Sequence, residues 1–198
     1  KLGVVRKGSE QTVTVDLGPA LKGQAEKYAS QYIERPLHIG KLSAHLWGGR
    51  FIFEDLTIEG LTPQSRPFLE AKRISVSMLW NTLFNKRVVF DAIEMSDWRM
   101  HAESLPGGQH NFPRFTREST GGKRTWTVTT QYIRAHRGEF VFEDHGVPWS
   151  TVARNLEVIV ARPTTEYRGQ VRFSEGTVAI QKYVPMRADM TATFKVDG

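Results

Sequence analysis

From Pro36 almost to the carboxyl terminus, apolar and polar residues alternate with a period of two, and only one segment has helical spacing. Successive side chains of a strand point to opposite faces, so this alternation specifies a sheet with one apolar side and one wet side. Ile74, Val76, Met78 and Trp80 share one face, while Arg73, Ser75 and Ser77 share the other. Val88 and Phe90 continue the apolar series, as do Trp126, Val128 and Tyr132, and then Leu156, Val158 and Val160. Val171 and Phe173, Val178 and Ile180, and Met190 to Val196 on alternate positions complete it. A single helix is too little to cover that face. The sheet can close into a barrel or sandwich, pack on a partner chain, or stay open as a trough for apolar ligand.

The helix opens at Gly18-Pro19, where a proline suits the first turn because its missing N–H has no partner there. Leu21, Ala25, Tyr28, Ala29, Tyr32 and Ile33 fall on one side, and Pro36 stops it. Its polar face mixes signs, which reads as a cap over a sheet end rather than a membrane anchor. The spacing predicts strands over 41–47, 50–59, 69–79, 87–102, 124–134, 139–144, 151–161, 166–174, 177–183 and 187–196. Gly48-Gly49 reads as a hairpin, and 60–67 and Gly176 as turns. Residues 103–123 form the longest loop, a hinge or repeat boundary. The expected fold is mainly β: a long antiparallel, curved groove (taco-like) with one amino-terminal amphipathic capping helix. Residues 1–36 hold the amino-terminal segment and helix, 37–117 a first β-groove unit, and 118–198 a second.

A short phrase supports repetition. Gly49-Arg50-Phe51-Ile52-Phe53-Glu54-Asp55 returns as Gly138-Glu139-Phe140-Val141-Phe142-Glu143-Asp144. Looser echoes appear at Arg87–Asp91 and Gly169–Phe173. Each copy reads as a Gly-led strand with an acidic exit, so the paired carboxylates suit turn chemistry rather than acid–base hydrolysis.

At 198 residues the chain is long enough to bury a real core. The absence of cysteine excludes disulfides, thiolate metal sites and cysteine nucleophiles. A formal charge of +6, with paired Lys72-Arg73, Lys86-Arg87 and Lys123-Arg124, favours a solvated surface or an anionic partner. Exposed aromatic and arginine residues do not share one face, so nucleic acid is an unlikely partner. The six histidines show no metal-binding helix motif; His136 with Asp144 and His145 approach one another only if a hairpin intervenes. No nucleophile elbow, phosphate loop or dinucleotide fingerprint is present. The sequence calls for no catalytic residue, no metal and no cofactor. No stretch reaches the roughly 20 apolar residues of a membrane span. The chain starts at Lys1 with no visible leader, which reads as a piece of something longer.

One stretch carries a family likeness. A helix ends in Tyr32-Ile33-Glu34-Arg35-Pro36-Leu37-His38-Ile39-Gly40-Lys41-Leu42, and a Gly-led strand from Gly49 runs through Asp55-Leu56-Thr57-Ile58. A second apolar strand follows Pro67-Phe68, and Asn111-Phe112 comes after a Gly-rich turn. Over roughly 17–117 this order resembles the amino-terminal region of bacterial AsmA-like proteins, TamB relatives among them. The resemblance implies a β-groove akin to chorein-type bridge proteins. Such proteins anchor in the inner membrane, extend into the periplasm and pass phospholipid along an apolar trough in outer-membrane assembly. The family's amino-terminal membrane helix is missing here, and the chain is too short to cross a periplasm. The expected partner is phospholipid or another acyl-chain lipid. The lipid-binding groove is expected at Ile74, Val76, Met78, Trp80, Val88, Phe90, Trp126, Val128, Leu156, Val158 and Val160. The competing reading is a non-enzymatic scaffold whose apolar face docks on a larger membrane protein complex.

Overall fold

The computed structural model describes residues 14–16, 18–45, 48–81, 87–114, 127–163 and 165–197. They form one large, curved, open sheet of eleven strands and one helix. In chain order these are β1 (Thr14–Asp16), α1 (Pro19–Ile33), β2 (Leu37–His45), β3 (Arg50–Ile58), β4 (Leu69–Met78) and β5 (Arg87–Leu105). There follow β6 (Gln109–His110), β7 (Thr127–Thr130), β8 (Tyr132–Asp144), β9 (Trp149–Ala161), β10 (Glu166–Ile180) and β11 (Met186–Asp197). Side by side they run β1-β2-β3-β4-β5-β8-β9-β10-β11, with β6 and β7 also paired on β5. Residues 37–117 and 118–198 thus feed the same sheet.

The helix begins at Pro19 and ends where Glu34 turns left-handed, its N–H bonded to Gln31 O. Ile33 is buried with Leu37, Ile39, Leu42 and Leu56, and Ala25 and Ala29 pack against them. Leu21, Tyr28 and Tyr32 are exposed, contrary to the expectation that all six apolar residues share the packed side. Tyr28 and Tyr32 each precede a packed residue, and one residue step turns a side chain about 100° around the axis. Two polar side chains of α1 also reach β2. Ser30 Oγ accepts the N–H of Leu37 at 2.8 Å and Glu26 Oε1 that of Ile39 at 2.7 Å.

The sheet is not antiparallel throughout. β5 runs parallel to both β7 and β8, with partners separated by a constant 40 positions, from Arg87 beside Thr127 to Ser104 beside Asp144. Of the loop expected over 103–123, residues 103–105 belong to β5 and 109–110 form β6, and 115–123 lie outside the described residues; β7 is next found beside β5's start. Parallel neighbours need a crossover of about a dozen residues or more. Alternation reports which face a residue takes, not which way the next strand runs.

Two predicted breaks are absent. β10 passes straight through Gly176, and β8 passes through 135–138. Gly176 lies beneath an aromatic ring: a Cβ there would stand 2.5 Å from the Phe173 ring and 2.6 Å from the Ala188 carbonyl. Gly138 is covered in the same way by the Trp98 indole.

A row of irregularities crosses the sheet and explains both misreadings. Asp55, Asp97, Arg137, Asn155 and Glu175 have φ between 49° and 58°, each in the middle of its strand. Register places them almost in line, with Lys72 between Asp55 and Asp97. At this row two consecutive residues turn to the polar side: Glu54-Asp55, Lys72-Arg73, Ser96-Asp97, His136-Arg137, Arg154-Asn155 and Ser174-Glu175. The apolar side therefore receives residues three apart. Phe53 and Leu56 share one cluster, and Met95 with Trp98 and Ala71 with Ile74 share the next. A bulged strand bends and gains twist. Because neighbouring strands bend at the same level, the bend belongs to the whole sheet.

Glu54-Asp55 is consequently not a strand exit; it lies inside β3. Asp144 does end its strand, and its Oδ1 accepts the N–H groups of Gly146 and Val147 at 2.8 and 3.0 Å. The repeated phrase occupies two different levels of the sheet. What repeats structurally is the pattern apolar–polar–polar–apolar–polar–apolar, as in Phe53–Ile58, Met95–Met100 and Phe173–Val178.

Candidate functional site: the apolar face

Register connects the apolar side chains into rows perpendicular to the strands. One row runs Leu42, Phe53, Ile74, Met95, Ala135 and Val158, and continues to Val171 and Ala192. The next contains Ala44, Phe51, Val76, Ile93, Ile133 and Val160, ending at Gly169 and Phe194. A third joins Ile39, Leu56, Ala71, Trp98, Gly138 and Leu156. Each row is apolar from β2 to β9 without a charged interruption. Glycine takes a place that a ring occupies: Trp98 covers Gly138, and Phe194 covers Gly169.

Most of the residues singled out from sequence fall on this face. Ile74, Val76 and Met78 line β4, and Met78 pairs with Phe90. Val158 and Val160 stand opposite Ala135 and Ile133. Ile74, Val76, Met78, Val88, Phe90, Val158 and Val160 are all half-buried. Trp80 is 38% exposed and packs edge-on against Phe51, ring centroids 6.0 Å apart. Leu156 differs: at 6% exposure it belongs to a packed cluster with Ala71, Trp98 and Ala135. The backbone of Val128 lies beside Val88, and its side chain and the whole of Trp126 lie outside the described residues. Sequence reasoning omitted Phe53, Met95, Trp98 and Phe140, which the paired doublets put on the same face. The doublets themselves were the missed signal.

No large side chain among the described residues is fully sealed from solvent. The sheet has not closed on itself. Burying apolar area stabilises by roughly 25 cal/mol per Å², so a half-covered face across nine strands is a sizeable unspent driving force for contact.

The opposite face carries ion pairs arranged across strands. Glu54 lies between Lys41 and Arg73 at 3.7 and 3.3 Å, and Asp55 meets Lys72 at 3.1 Å. Arg137 donates two hydrogen bonds to Asp97, and Arg134 donates two to Glu157, which also accepts from Arg172. The Arg137 hydrogen bonds hold the Asp97 carboxyl below the ordinary aspartate range. Arg134 does the same for Glu157, and in return both guanidinium pKa values are raised. Exposed pairs of this kind contribute little stability each. They make this side wet.

His136, Asp144 and His145 do not meet across a hairpin, because β8 is continuous from Tyr132 to Asp144. His136 instead lies 2.9 Å from its neighbour Arg137. A different cluster forms at the parallel seam. His101 is 4% exposed, with Nδ1 3.3 Å from Glu103 and Nε2 3.3 Å from Glu143. Among the described residues, this is the one trio whose donor atoms lie close enough to hold a metal ion. The two carboxylates address opposite edges of the ring, however, and Arg66 already sits 2.9 Å from Glu143. The ring is thus set between carboxylates of β5 and β8, with neither of its nitrogens in hydrogen-bonding geometry.

Among the described residues, no helix is long and apolar enough to cross a membrane. No protein-family model matches this chain, and no curated protein does either.

Proposed function

We propose that this protein is a non-enzymatic β-groove module that binds and transfers phospholipid, in the manner of the AsmA-like proteins that residues 17–117 resemble. The observation that carries the reading is the apolar face from β2 to β9, uninterrupted by charge, whose rows through Ile74 and Val76 are half-buried from β3 to β5 and backed by cross-strand ion pairs on the opposite face. In this reading the bend along the row of polar doublets makes that face the inside of a trough, and α1 caps one end of it. Removing about fourteen methylenes of an acyl chain from water is worth roughly 11 kcal/mol. A lipid therefore slides only where apolar cover is continuous, and rows of Val, Ile, Phe and Met supply that cover without any reacting group. The headgroup stays at the rim, near the basic residues. A periplasmic place at the inner membrane goes with this proposal.

Native mass spectrometry of the purified chain tests it, with copurified phospholipid as the expected result. Val76→Glu, which puts a charge in the middle of one row, should abolish lipid capture while far-UV circular dichroism stays unchanged. Wild-type lipid content in that soluble variant would refute the trough. A stoichiometric protein partner with no lipid would assign the face to docking on a larger complex instead.

A further inference from the structure

The last strand of the sheet ends on an open edge. β11 pairs with β10 on one side and, among the described residues, with no strand on the other. It is twelve residues long. Its even-numbered positions continue the apolar face: Met190 pairs with Phe173, Ala192 with Val171, and Phe194 with Gly169. Met190 and Phe194 are 44% and 37% exposed. The odd-numbered positions are Arg187, Asp189, Thr191, Thr193, Lys195 and Asp197.

Those odd positions read as a charge palindrome. Laid antiparallel against itself with Ala192 on the two-fold axis, the strand sets Asp189 opposite Lys195 and Thr191 opposite Thr193. On the apolar side Met190 meets Phe194 and Ala188 meets Val196. Symmetry makes each pair twice. Slipping by one step that keeps the faces aligned puts Arg187 opposite Lys195 in one direction, and in either direction takes Asp189 away from Lys195. Slipping by a single residue sets polar positions against apolar ones. Like charges directly opposite one another are destabilising, and opposite charges, Thr–Thr pairs and aromatic contacts are favourable. One register satisfies every position.

We propose that β11 is a homodimerisation edge, where a second copy adds its own β11 antiparallel about a two-fold axis through Ala192. Residues of equal parity face each other in this register. The backbone groups that β11 turns away from β10 therefore meet their own counterparts as donor and acceptor. The axis stands perpendicular to the sheet, so the two apolar faces lie on the same side and join. Charged side chains on an edge strand ordinarily repel strand addition; here the same charges admit one partner in one register. The contact is isologous and closes at two copies, as a two-fold interface must. The inference does not depend on the lipid reading, and delipidated protein should still dimerise.

Sedimentation equilibrium of the purified chain tests it, and the expected result is a reversible dimer. D189K and K195D each place like charges opposite one another twice, and should each weaken the dimer about tenfold or more. An equimolar mixture of the two variants pairs unlike charges again and should recover wild-type association, which a misfolded variant cannot do. The chain has no cysteine, so A192C should link to itself on mild oxidation, whereas A188C, facing Val196, should not. A monomer at every concentration would overturn the proposal. So would a dimer indifferent to both charge reversals, a mixture of folded variants that fails to associate, or equal crosslinking by A188C and A192C.

Discussion

At its carboxyl-terminal edge the sheet carries no guard among the described residues, and at its amino-terminal edge it is finished by short ones. There β1 covers Ser43 to His45 of β2, and Ser30 and Glu26 of α1 occupy the N–H groups of Leu37 and Ile39 beyond it. No helix or short strand lies beside β11 among the described residues. The side chains follow suit: Ile39 is 3% exposed, whereas Val196 is 51% exposed. The same alternating sequence builds both edges, so alternation fixes the faces and leaves the fate of the edge to its neighbours. A strand edge offers a row of unpaired backbone groups to any other chain. One end of this molecule terminates that offer and the other extends it.

The largest expected effect is a difference in what truncation costs. Ile39→Ala should lose about 2–5 kcal/mol, because it opens a cavity in the packed cluster under α1. Val196→Ala should stay within about 0.5 kcal/mol when measured in the D189K background, where the edge is bare. Urea unfolding of both variants gives the comparison. Equal costs would mean that the two ends are packed alike.

A smaller effect should follow from removing the guards without touching the core. Glu26→Ala combined with Ser30→Ala leaves the N–H groups of Ile39 and Leu37 without their acceptors. An orphaned, partly buried donor costs about 1–3 kcal/mol. Hydrogen exchange should quicken at Leu37 and Ile39 while β9 keeps its protection. Unchanged protection of those two amides would show that α1 guards the edge by packing alone.

Most strand positions were legible because the longer strands alternate over four residues or more, whereas β1 and β6, at three and two residues, are too short to show it. The bend was not. Glu54-Asp55 and His136-Arg137 interrupt alternation, and an interruption in sequence looks the same whether the chain turns or merely bulges. Gly176 gave the same false turn, since sequence does not show the Phe173 ring lying over it. The parallel seam was hidden for another reason: Ile93 and Ile133 satisfy one face equally well in either strand direction. That seam also concealed the His101 cluster, whose second carboxylate, Glu143, arrives from forty positions beyond Glu103. Of the apolar face, the flanks were readable in Ile74 to Met78 and Leu156 to Val160. The centre around Trp98 was not, because it lies just beyond a doublet.

The smallest effect concerns pH, and it separates the middle of the sheet from both edges. Asp97 on β5 is held low by the hydrogen bonds of Arg137, and Glu157 on β9 by those of Arg134. Asp144, at the end of β8, is held low by the backbone N–H groups of Val147 and Gly146. In the unfolded chain such carboxyls titrate at about 4. Folded values below that mean the linked stability is complete above the unfolded value and is lost as pH falls through the folded one. The urea midpoint should therefore be level from neutral pH to about 5 and decline below about 4. Asp97 is exposed and Glu157 and Asp144 are half-buried at the surface, where solvent screens their pairs, so the decline should be shallow. Asp97→Asn should flatten part of it, because the Arg137 pair then no longer depends on protonation. Protection factors corrected for the intrinsic exchange rate should fall first in β5, β8 and β9. An earlier loss in β2 or β11 would show that the edges, rather than the cross-strand ion pairs, set the acid limit.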